Sequence, residues 1–349
     1  MKFSDLYLLL SLALASCAST DEPGPVTGSE ITLTADDVSI QADDVPASRS
    51  YNNSNFTKFH CWAFYGDATD AWYIDTDVTR HAPGNSCTFD NSHTFYWPKH
   101  TPLHFYALAD EGGQVNAPWK DDYGNVKSWY EVSGSSDLIY ANKRNQWGAA
   151  MHLTFGHALC QVTVYLTNNM NHYEVGYFWG KFFNMKYKGN LQFPASESGG
   201  LNWSNADDDA RMCHWVDVSD EHKEYVVQSL NWGNGDNCIV VKPGESKQVT
   251  GTIYILPQQF NANQKYFFEW HLRDTNYGSD VGSRPDGWFG KLSMETAVAP
   301  SDWTCYPNRA YRMYITFNDS SSAPMIKLVD LGIDGWGNGG NHWILGPYE

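Results

Sequence analysis

The sequence predicts an all-β protein built from two antiparallel β-sandwich domains, and three observations support this prediction. Apolar and polar residues alternate along several short runs, such as residues 59–63, 103–107 and 311–317, as they do in strands with one buried face. Glycine-rich turns separate such runs, for example at residues 199–200 and 335–340. No apolar stripe with the helical period of about 3.6 residues is sustained. Short strands with frequent turns are typical of sandwiches and barrels.

The composition agrees with a β-rich fold and excludes one class of partner. Aromatic residues make up 15% of the chain, including 15 Trp and 21 Tyr, whereas charged residues make up 18%. Flat aromatic side chains pack well on pleated sheets. The formal net charge is −17, from 23 Lys and Arg against 40 Asp and Glu. A chain this acidic is a poor match for phosphate backbones, so we expect no nucleic-acid partner.

A change of phase in the apolar pattern predicts where the domains meet. Apolar residues occupy odd positions in 151–155 and even positions in 158–166. A slip of one residue turns all following side chains to the other face. The chain therefore contains a β-bulge at residues 156–157, or it leaves one core there and enters another. We expect domains at residues 50–165 and 166–349.

The first residues have the pattern of an export signal. Lys2 precedes an apolar stretch at residues 6–15, which is shorter than a membrane-spanning helix and typical of a signal peptide. The stretch ends in Leu-Ala-Ser-Cys at residues 14–17, which resembles the bacterial lipobox. We expect residues 1–16 to be removed and Cys17 to be acylated, for example with palmitate. The alternative is an ordinary signal peptide that happens to contain a cysteine.

Residues 17–49 form an acidic leader. They carry seven Asp and Glu side chains and no Lys or Arg before Arg49, as expected for a tether. Two short alternating pieces, around residues 31–33 and 38–40, can form strand. The pair Asp21-Glu22 resembles signals that send lipoproteins to the outer face in Bacteroides-like bacteria, and the alternative is a solvated linker. We expect a surface-exposed lipoprotein of the outer membrane.

Six cysteines remain after lipidation, and none lies in a CxxC or zinc-ribbon spacing. They are Cys61, Cys87, Cys160, Cys213, Cys238 and Cys305. Export permits disulfides, but the sequence does not fix their pairing, and buried free thiols are the alternative.

The sequence holds no catalytic signature. Its 12 His residues include no HExxH spacing, and no GxSxG, P-loop or dinucleotide motif occurs. We therefore expect neither an enzyme nor a resident cofactor or metal. Asp207-Asp208-Asp209 could bind calcium through oxygens, but adjacent acids on a loop are more commonly solvated. We expect His157 to hydrogen-bond in or near the core.

Four tryptophans lie in Gly- and Asn-rich surroundings that favour exposure. They are Trp232, Trp288, Trp336 and Trp343. Exposed indoles can stack on sugar rings, so these four are candidate glycan-binding residues. The alternative is that the tryptophans mostly fill two aromatic-rich cores.

An ordered set of motifs carries a family resemblance. The set consists of FHCWAF at 59–64, FYWP at 95–98, LHFYA at 103–107, DLIYA at 137–141, LTFGHAL at 153–159, ILPQ at 255–258 and the strand at 311–317. In this order and spacing, the motifs resemble the fimbrillin family, the lipoprotein-derived subunits of type V pili and their accessory proteins. The resemblance runs from about residue 49 to residue 317.

The resemblance implies two tandem transthyretin-like sandwiches and a function in pilus assembly or adhesion, without catalysis. The implied partners are other pilus subunits and, in adhesion, host or microbial surface glycans or proteins. Two features depart from the family. Cys160 stands where the family usually has Ser, and residues 334–340 are very glycine-rich. Glycine weakens strands, so a shaft, tip or anchor role stays open.

The resemblance also implies processing at Arg49, where an Arg-specific protease cuts fimbrillins. The cut would remove a strand formed from part of residues 31–40 and open a groove for a strand of another subunit. The alternative is that Arg49 simply ends a linker. The rival function is that of a monomeric surface glycan-binding lipoprotein.

Overall fold

The computed structural model describes a large part of the chain. The described residues are 28–35, 56–66, 72–81, 85–90, 93–112, 115–148, 150–196, 198, 212–228, 239–259, 265–274, 289–297, 304–318, 325–331 and 341–344. Every regular element among them is a β-strand, so none of them forms a helix that could span a membrane. The prediction of an all-β fold is confirmed.

In the part of the chain that the structure describes, ten strands lie before residue 158 and twelve lie after it. The first ten are β1 (Leu33–Ala35), β2 (Lys58–Tyr65), β3 (Trp72–Arg80), β4 (Ser86–Phe89), β5 (Leu103–Asp110), β6 (Trp119–Lys120), β7 (Val126–Glu131), β8 (Leu138–Gln146), β9 (Met151–Leu153) and β10 (Gly156–His157). The others are β11 (Cys160–Asn168), β12 (Tyr173–Lys186), β13 (Lys188–Gln192), β14 (His214–Val216), β15 (His222–Gln228), β16 (Ser246–Gln248), β17 (Ile253–Ile255), β18 (Lys265–Asp274), β19 (Phe289–Ala297), β20 (Arg309–Phe317), β21 (Met325–Leu331) and β22 (Asn341–Ile344).

Eight strands of the N-terminal part form one sheet, in the order β10-β8-β5-β2-β3-β4-β1-β9. Its two end strands, β9 and β10, follow each other in the chain with only residues 154–155 between them. So short a connection keeps the two ends close together, which means that the sheet curls round on itself. A cluster of buried residues that includes Leu33, Phe59, Phe105 and Leu153 fills the inside.

The central strands of this sheet are buried on both faces. In β2, Phe59, Cys61 and Ala63 belong to the inner cluster, whereas Trp62 and Phe64 belong to a second, larger cluster. Strand β5 divides its side chains in the same way, which explains why seven of its eight residues are buried. The larger cluster continues into the C-terminal part of the chain.

Three further sheets surround the larger cluster. One has the order β16-β11-β20-β21-β22, with β17 also paired to β11; the second has the order β15-β12-β18-β19; and the third has the order β14-β13-β7-β6. The third sheet joins strands from both sides of residue 165. The division into domains 50–165 and 166–349 stays a prediction.

The change of phase near residue 156 marks a passage from one core to the other. Met151, Leu153 and Phe155 pack in the inner cluster, whereas Ala158 and Cys160 pack in the larger one. The sequence allowed either a β-bulge or a change of core at this point, and the structure shows the change of core.

Two strand pairs depart from the expected antiparallel arrangement. Strands β1 and β9 pair in parallel, as do β11 and β20. Both pairs join strands that are far apart in sequence, as parallel pairing requires. A local pattern of alternation carries no information about such partners, so the sequence could not predict them.

Candidate functional site

The candidate site is the slot in the first sheet that holds β1, which we call the leader slot because β1 belongs to the acidic leader. Strand β1 lies between β4 and β9. Leu33 is opposite Cys87 of β4 in antiparallel register and opposite Met151 of β9 in parallel register. Without β1, both neighbouring strands would present an unpaired edge in the middle of the sheet.

The local sequence explains why this segment forms a strand. Ile31, Leu33 and Ala35 are buried in the inner cluster, whereas Thr32 is exposed. This alternation places three apolar side chains on one face, and β-branched Ile and Thr favour extended backbone. The strand predicted within residues 31–40 is therefore present as β1, and Val38 and Ile40 lie outside the described residues.

Backbone hydrogen bonds hold the leader on both sides beyond the short ladder itself. Ile31 N donates to Phe95 O at 2.8 Å, and Ala35 N donates to Asn85 O at 2.9 Å. On the other side, Met151 N donates to Thr32 O at 2.8 Å. The leader is thus bound as an inserted strand with hydrogen bonds along both edges.

The start of the leader packs tightly on the same sheet. Trp97 N donates to Ser29 O at 2.9 Å. A Cβ added at Gly28 would lie 2.0 Å from the carbonyl oxygen of Trp97, so only glycine permits this approach. The leader therefore follows the sheet from Gly28 to Ala35.

The side chain of Thr34 helps to fix the register of β1 against β9. Thr34 Oγ1 donates to Met151 O at 3.2 Å and lies 2.8 Å from His152 Nδ1. Both partners are on β9, the parallel neighbour. A strand shifted by one residue would turn Thr34 into the core and lose these bonds.

The buried guanidinium of Arg80 ties together the two sides of the segment that contains Arg49. Its Nε donates to Ala35 O at 3.3 Å, and its Nη1 donates to Phe56 O at 3.2 Å. Its Nη2 also donates to Asn85 Oδ1 at 2.9 Å. Ala35 precedes and Phe56 follows residues 36–55. Arg80 thus anchors the chain on either side of the predicted cleavage site.

Two thiols lie beside the slot: Cys61 is part of the inner cluster, and the partly buried Cys87 packs against it. Burial raises the pKa of Cys87 to about 11, although Arg80 and a hydrogen bond with the Ala35 backbone oppose the shift. Burial also raises the pKa of Cys61, and the neighbouring Cys87 adds to this. Among the described residues, Cys61, Cys87, Cys160, Cys213 and Cys305 form no disulfide. Both thiols beside the slot are therefore protonated at neutral pH.

Aromatic rings form part of the inner cluster that the leader covers. Phe155 makes edge-on contacts with Phe56 at 4.8 Å and with Phe59 at 5.1 Å between ring centroids. These rings belong to the same buried cluster as Ile31 and Leu33. Removing β1 would therefore expose apolar surface as well as backbone.

Most of the sequence-predicted site residues lie outside the described part of the chain. These are Cys17, Asp21-Glu22, Arg49, Asp207-Asp208-Asp209, Trp232, Trp288 and Trp336. Trp343 lies in β22, where the structure describes only the backbone. The four tryptophans and the two N-terminal sites stay predictions. Within the described residues, no group of three His, Cys, Asp or Glu side chains is arranged to hold a metal ion.

His157 is placed as expected. It is buried, and its Nδ1 lies 2.8 Å from Asp137 Oδ2, which is also buried. Its backbone N donates to Asn308 Oδ1 at 3.1 Å. The histidine therefore holds β10 to the loop that precedes β20, which is a structural role.

Sequence reasoning missed Arg80 and Asn85 as parts of the slot. Both lie at the β3–β4 turn, and their partners are in the leader. An arginine at the end of a strand is ordinary, and no local signal shows that its side chain is buried. Only the long-range pairing of β1 reveals the role of these two residues.

The fold and the slot define a class: an all-β sandwich protein with a strand of its N-terminal leader inserted into the first sheet. The chain belongs to the fimbrillin-like family, whose profile matches residues 47–281. No curated protein sequence matches it significantly. Membership of this family supports a role in pili or adhesion at the cell surface, and a structural rather than an enzymatic function.

Solved structures are similar to this chain at low sequence identity. A fimbrial protein from Bacteroides vulgatus is similar with a TM-score of 0.52 and 13% identity, over 88% of this chain and 99% of that chain. A candidate cell adhesion protein from Parabacteroides distasonis has a TM-score of 0.49 and 10% identity, over 90% of this chain and 98% of that chain. The first of these similarities supports the fold assignment.

Proposed function

We propose that the protein is a pilus subunit in which β1 is a removable plug, and that a strand of another subunit takes its place after cleavage at Arg49. The observation that carries the proposal is the position of β1. It lies upstream of Arg49 in the chain, yet it occupies an internal place in the sheet between β4 and β9. Cleavage at Arg49 would separate this strand covalently from the rest of the protein.

The energetics favour replacement of the strand over an empty slot. Fully burying one Ile or Leu side chain stabilises a protein by roughly 1.5–3 kcal/mol, and both Ile31 and Leu33 are buried here. Each backbone hydrogen bond adds about 0.5–1.5 kcal/mol. An empty slot would lose these contributions and present two unpaired edges, which pair readily with other strands.

The slot also defines its occupant. An incoming strand must present apolar side chains at the positions of Ile31, Leu33 and Ala35, with polar residues between them. Main-chain hydrogen bonds supply affinity in such β-augmentation, and the buried side chains supply specificity. The partner is therefore an extended segment of another pilus subunit with period-two apolar residues.

The direct experiment is cleavage followed by assembly. Purified protein is treated with an Arg-specific protease, the new N-terminus is sequenced, and oligomers with candidate pilus subunits are followed by size-exclusion chromatography. We expect binding or polymers only after the cut at Arg49. The matched control is Arg49→Lys, which keeps the charge and resists the protease. Strand exchange is excluded if the cut protein stays monomeric with every candidate partner.

The place of the subunit in the pilus can be tested on material from the cell surface. A processed subunit begins at Ser50, whereas an anchor or accessory subunit still begins at Cys17. Residues 334–340 are glycine-rich, and because glycine weakens strands we expect this segment to be a poor donor strand. N-terminal sequencing of assembled material therefore separates a shaft subunit from a terminal one.

We also propose that Cys17 anchors the precursor in the outer membrane through its lipid. The apolar stretch at residues 6–15 and the Leu-Ala-Ser-Cys sequence before and at Cys17 support this proposal. Cys17→Ala should leave an unprocessed precursor or release the protein from membranes. Unchanged mass and unchanged membrane fractionation of the variant would contradict the proposal.

A further inference from the structure

The hairpin formed by β6 and β7 exposes three large aromatic side chains within a short stretch of chain. Trp119 is 44% exposed, Tyr123 is 91% exposed and Trp129 is 40% exposed. Seven large hydrophobic residues are exposed in the part of the chain that the structure describes, and these three share one hairpin. Exposed aromatic clusters of this kind mark interaction sites.

The two indoles lie on the same face of the sheet. In β7, Val126, Ser128 and Tyr130 are buried, so Lys127 and Trp129 face outward. Trp119 of β6 is directly opposite Lys127, and directly opposite residues share a face. Trp119 and Trp129 are therefore diagonal neighbours on adjacent strands, a position in which the Cα atoms of two residues are roughly 7–8 Å apart. We call this outward face of β6, β7 and β13 the hairpin platform.

Hydrogen-bonding side chains lie beside the two indoles. Asn190 of β13 is directly opposite Trp129, and Gln192 is directly opposite Lys127. Asn190 Nδ2 donates to Asp217 Oδ2 at 3.1 Å, which orients both groups. The platform thus combines flat apolar surfaces with fixed amide and carboxylate groups.

Lys127 is paired with two carboxylates at the platform. Lys127 Nζ lies 3.1 Å from Asp217 Oδ2 and 3.2 Å from Asp121 Oδ2. The same ammonium group lies 5.5 Å from the ring centroid of Trp119. Lys188 of β13 lies on the same face and is paired with Glu221 at 2.7 Å. Both lysines that the structure describes on the platform are therefore bound by carboxylates, and neither is a free cation for an acidic ligand.

The turn of the hairpin is held by one carboxylate. Asp121 Oδ1 accepts hydrogen bonds from Tyr123 N at 3.0 Å and from Asn125 N at 2.8 Å, and Asp121 Oδ2 accepts one from Asn125 Nδ2 at 3.1 Å. Gly124 has a φ of 82°, a conformation that glycine adopts readily in turns. A turn fixed in this way presents its aromatic side chains with little loss of entropy on binding.

From these contacts we propose that the hairpin platform binds a neutral glycan chain, with Trp119 and Trp129 stacking on two of its sugar rings. The C–H faces of sugar rings carry a slight positive charge and are attracted by the negative faces of indoles. The partly exposed Gln192 supplies an amide group and the exposed Asp217 a carboxylate for the ring hydroxyls, in the manner of the few polar groups that orient a ligand. The paired charges favour a neutral glycan over a sulfated or sialylated one.

This inference goes beyond the proposed function, and it does not depend on cleavage at Arg49 or on strand exchange. It involves residues of one hairpin and its neighbouring strand, whereas the leader slot lies in another sheet. The platform would give the protein an adhesive surface both as a free precursor and within a pilus.

The test uses the full-length uncut protein on an array that carries neutral oligosaccharides together with sialylated and sulfated ones. We expect binding to neutral glycans, with a loss of at least about tenfold in affinity for Trp119→Ala and for Trp129→Ala. The matched control is Trp147→Ala, because Trp147 is 50% exposed and follows β8 in a different sheet. We expect this control to bind like the unaltered protein.

A second measurement on the unaltered protein removes any dependence on the folding of the variants. The glycan that binds on the array should protect Trp119 and Trp129, but not Trp147, from oxidation of the indole, as read by peptide mass spectrometry. The proposal is overturned if no neutral glycan binds, if only charged glycans bind, if Trp147→Ala is as damaging as the platform variants, or if the platform indoles are not protected.

Discussion

At the residue scale, Arg80 is the side chain that ties the leader to the sheet. Its guanidinium donates to the carbonyl oxygens of Ala35 and Phe56 and to the side chain of Asn85. A buried carbonyl that loses its donor costs about 1–3 kcal/mol. The structure thus predicts that one arginine in β3 controls how firmly residues 36–55 are held at both ends.

Arg80→Met should therefore lower the free energy of unfolding by about 2–4 kcal/mol, because the apolar stem is kept but buried carbonyls lose their donors. Denaturant unfolding measures the loss, and the rate of Arg-specific cleavage at Arg49 should rise. The control is Arg144→Met, since Arg144 donates to the backbone of Ala195 at an exposed site. Equal losses for the two variants would contradict the role of Arg80.

Asp121 is the side chain that holds the turn of the hairpin platform. Burial acts to raise the pKa of its carboxyl, but hydrogen bonds from Asn125, Lys127 and Tyr123 outweigh this and lower the pKa to about 2. The folded pKa thus lies below the ordinary value of 3.8. Its contribution to stability is fully present above that ordinary value and is lost as the pH falls through about 2.

Asp121→Asn should remove this dependence on pH. Above about pH 4 we expect a constant difference in melting temperature between the unaltered protein and the variant. The difference should shrink as the pH falls towards the pKa of about 2. Thermal unfolding of both proteins at a series of pH values measures this difference in melting temperature. A difference that does not change over this range would mean that the Asp121 carboxylate is not what holds the turn.

At the scale of elements, the leader strand stabilises the first sheet through its buried face. Leu33→Ala should lower the free energy of unfolding by about 2–5 kcal/mol, because it removes buried methyl groups and leaves a cavity. Thr32→Ala, at an exposed position of the same leader, should change the stability by no more than about 0.5 kcal/mol. Denaturant unfolding of the two variants gives the comparison. Similar small effects for both would show that β1 does not pack in solution as described.

Alternation along the chain was enough to predict several strands, but not their partners. Runs at residues 59–63, 103–107 and 311–317 lie within β2, β5 and β20. Period-two patterning reports one buried face, so it could not show that β2 and β5 are buried on both. His60 and Trp62 illustrate this: the sequence places both on the polar face of β2, yet Trp62 is buried in the larger cluster.

The binding surfaces were harder to predict than the strands. Glycine- and asparagine-rich surroundings favour exposure of four tryptophans whose side chains lie outside the described part of the structure: Trp232, Trp288, Trp336 and Trp343. Trp119 and Trp129 sit in ordinary polar surroundings. Their exposure depends on which face of β7 packs against the core. The pairing of β7 with β13 determines that face, and the two strands are far apart in the sequence.

At the scale of the whole molecule, the two proposed functions involve separate sheets. The leader slot is part of the eight-stranded sheet, whereas the hairpin platform belongs to a four-stranded sheet. Assembly through the slot and adhesion through the platform can therefore take place in one molecule at the same time. The acidic net charge of −17 keeps such surface proteins apart until a specific contact forms.

The central claim is that β1 is a plug that another strand can replace once the chain is cut. Its most direct test is exchange of a labelled synthetic peptide of residues 28–49 into protein cut at Arg49, with Arg49→Lys protein as the uncut control. We expect the labelled peptide to replace the bound leader in the cut protein only. The exchange should be faster in partly denaturing buffer than in native buffer. The same peptide carrying Leu33→Asp should not enter, because it would bury a carboxylate in the inner cluster.

Alkylation of Cys87 gives the readout within the slot, because its thiol contacts the leader backbone. Peptide mass spectrometry should show Cys87 labelled while the slot is open and protected when the unaltered peptide occupies it. Failure of the cut protein to take up the peptide would contradict the claim, as would equal uptake of the Leu33→Asp peptide.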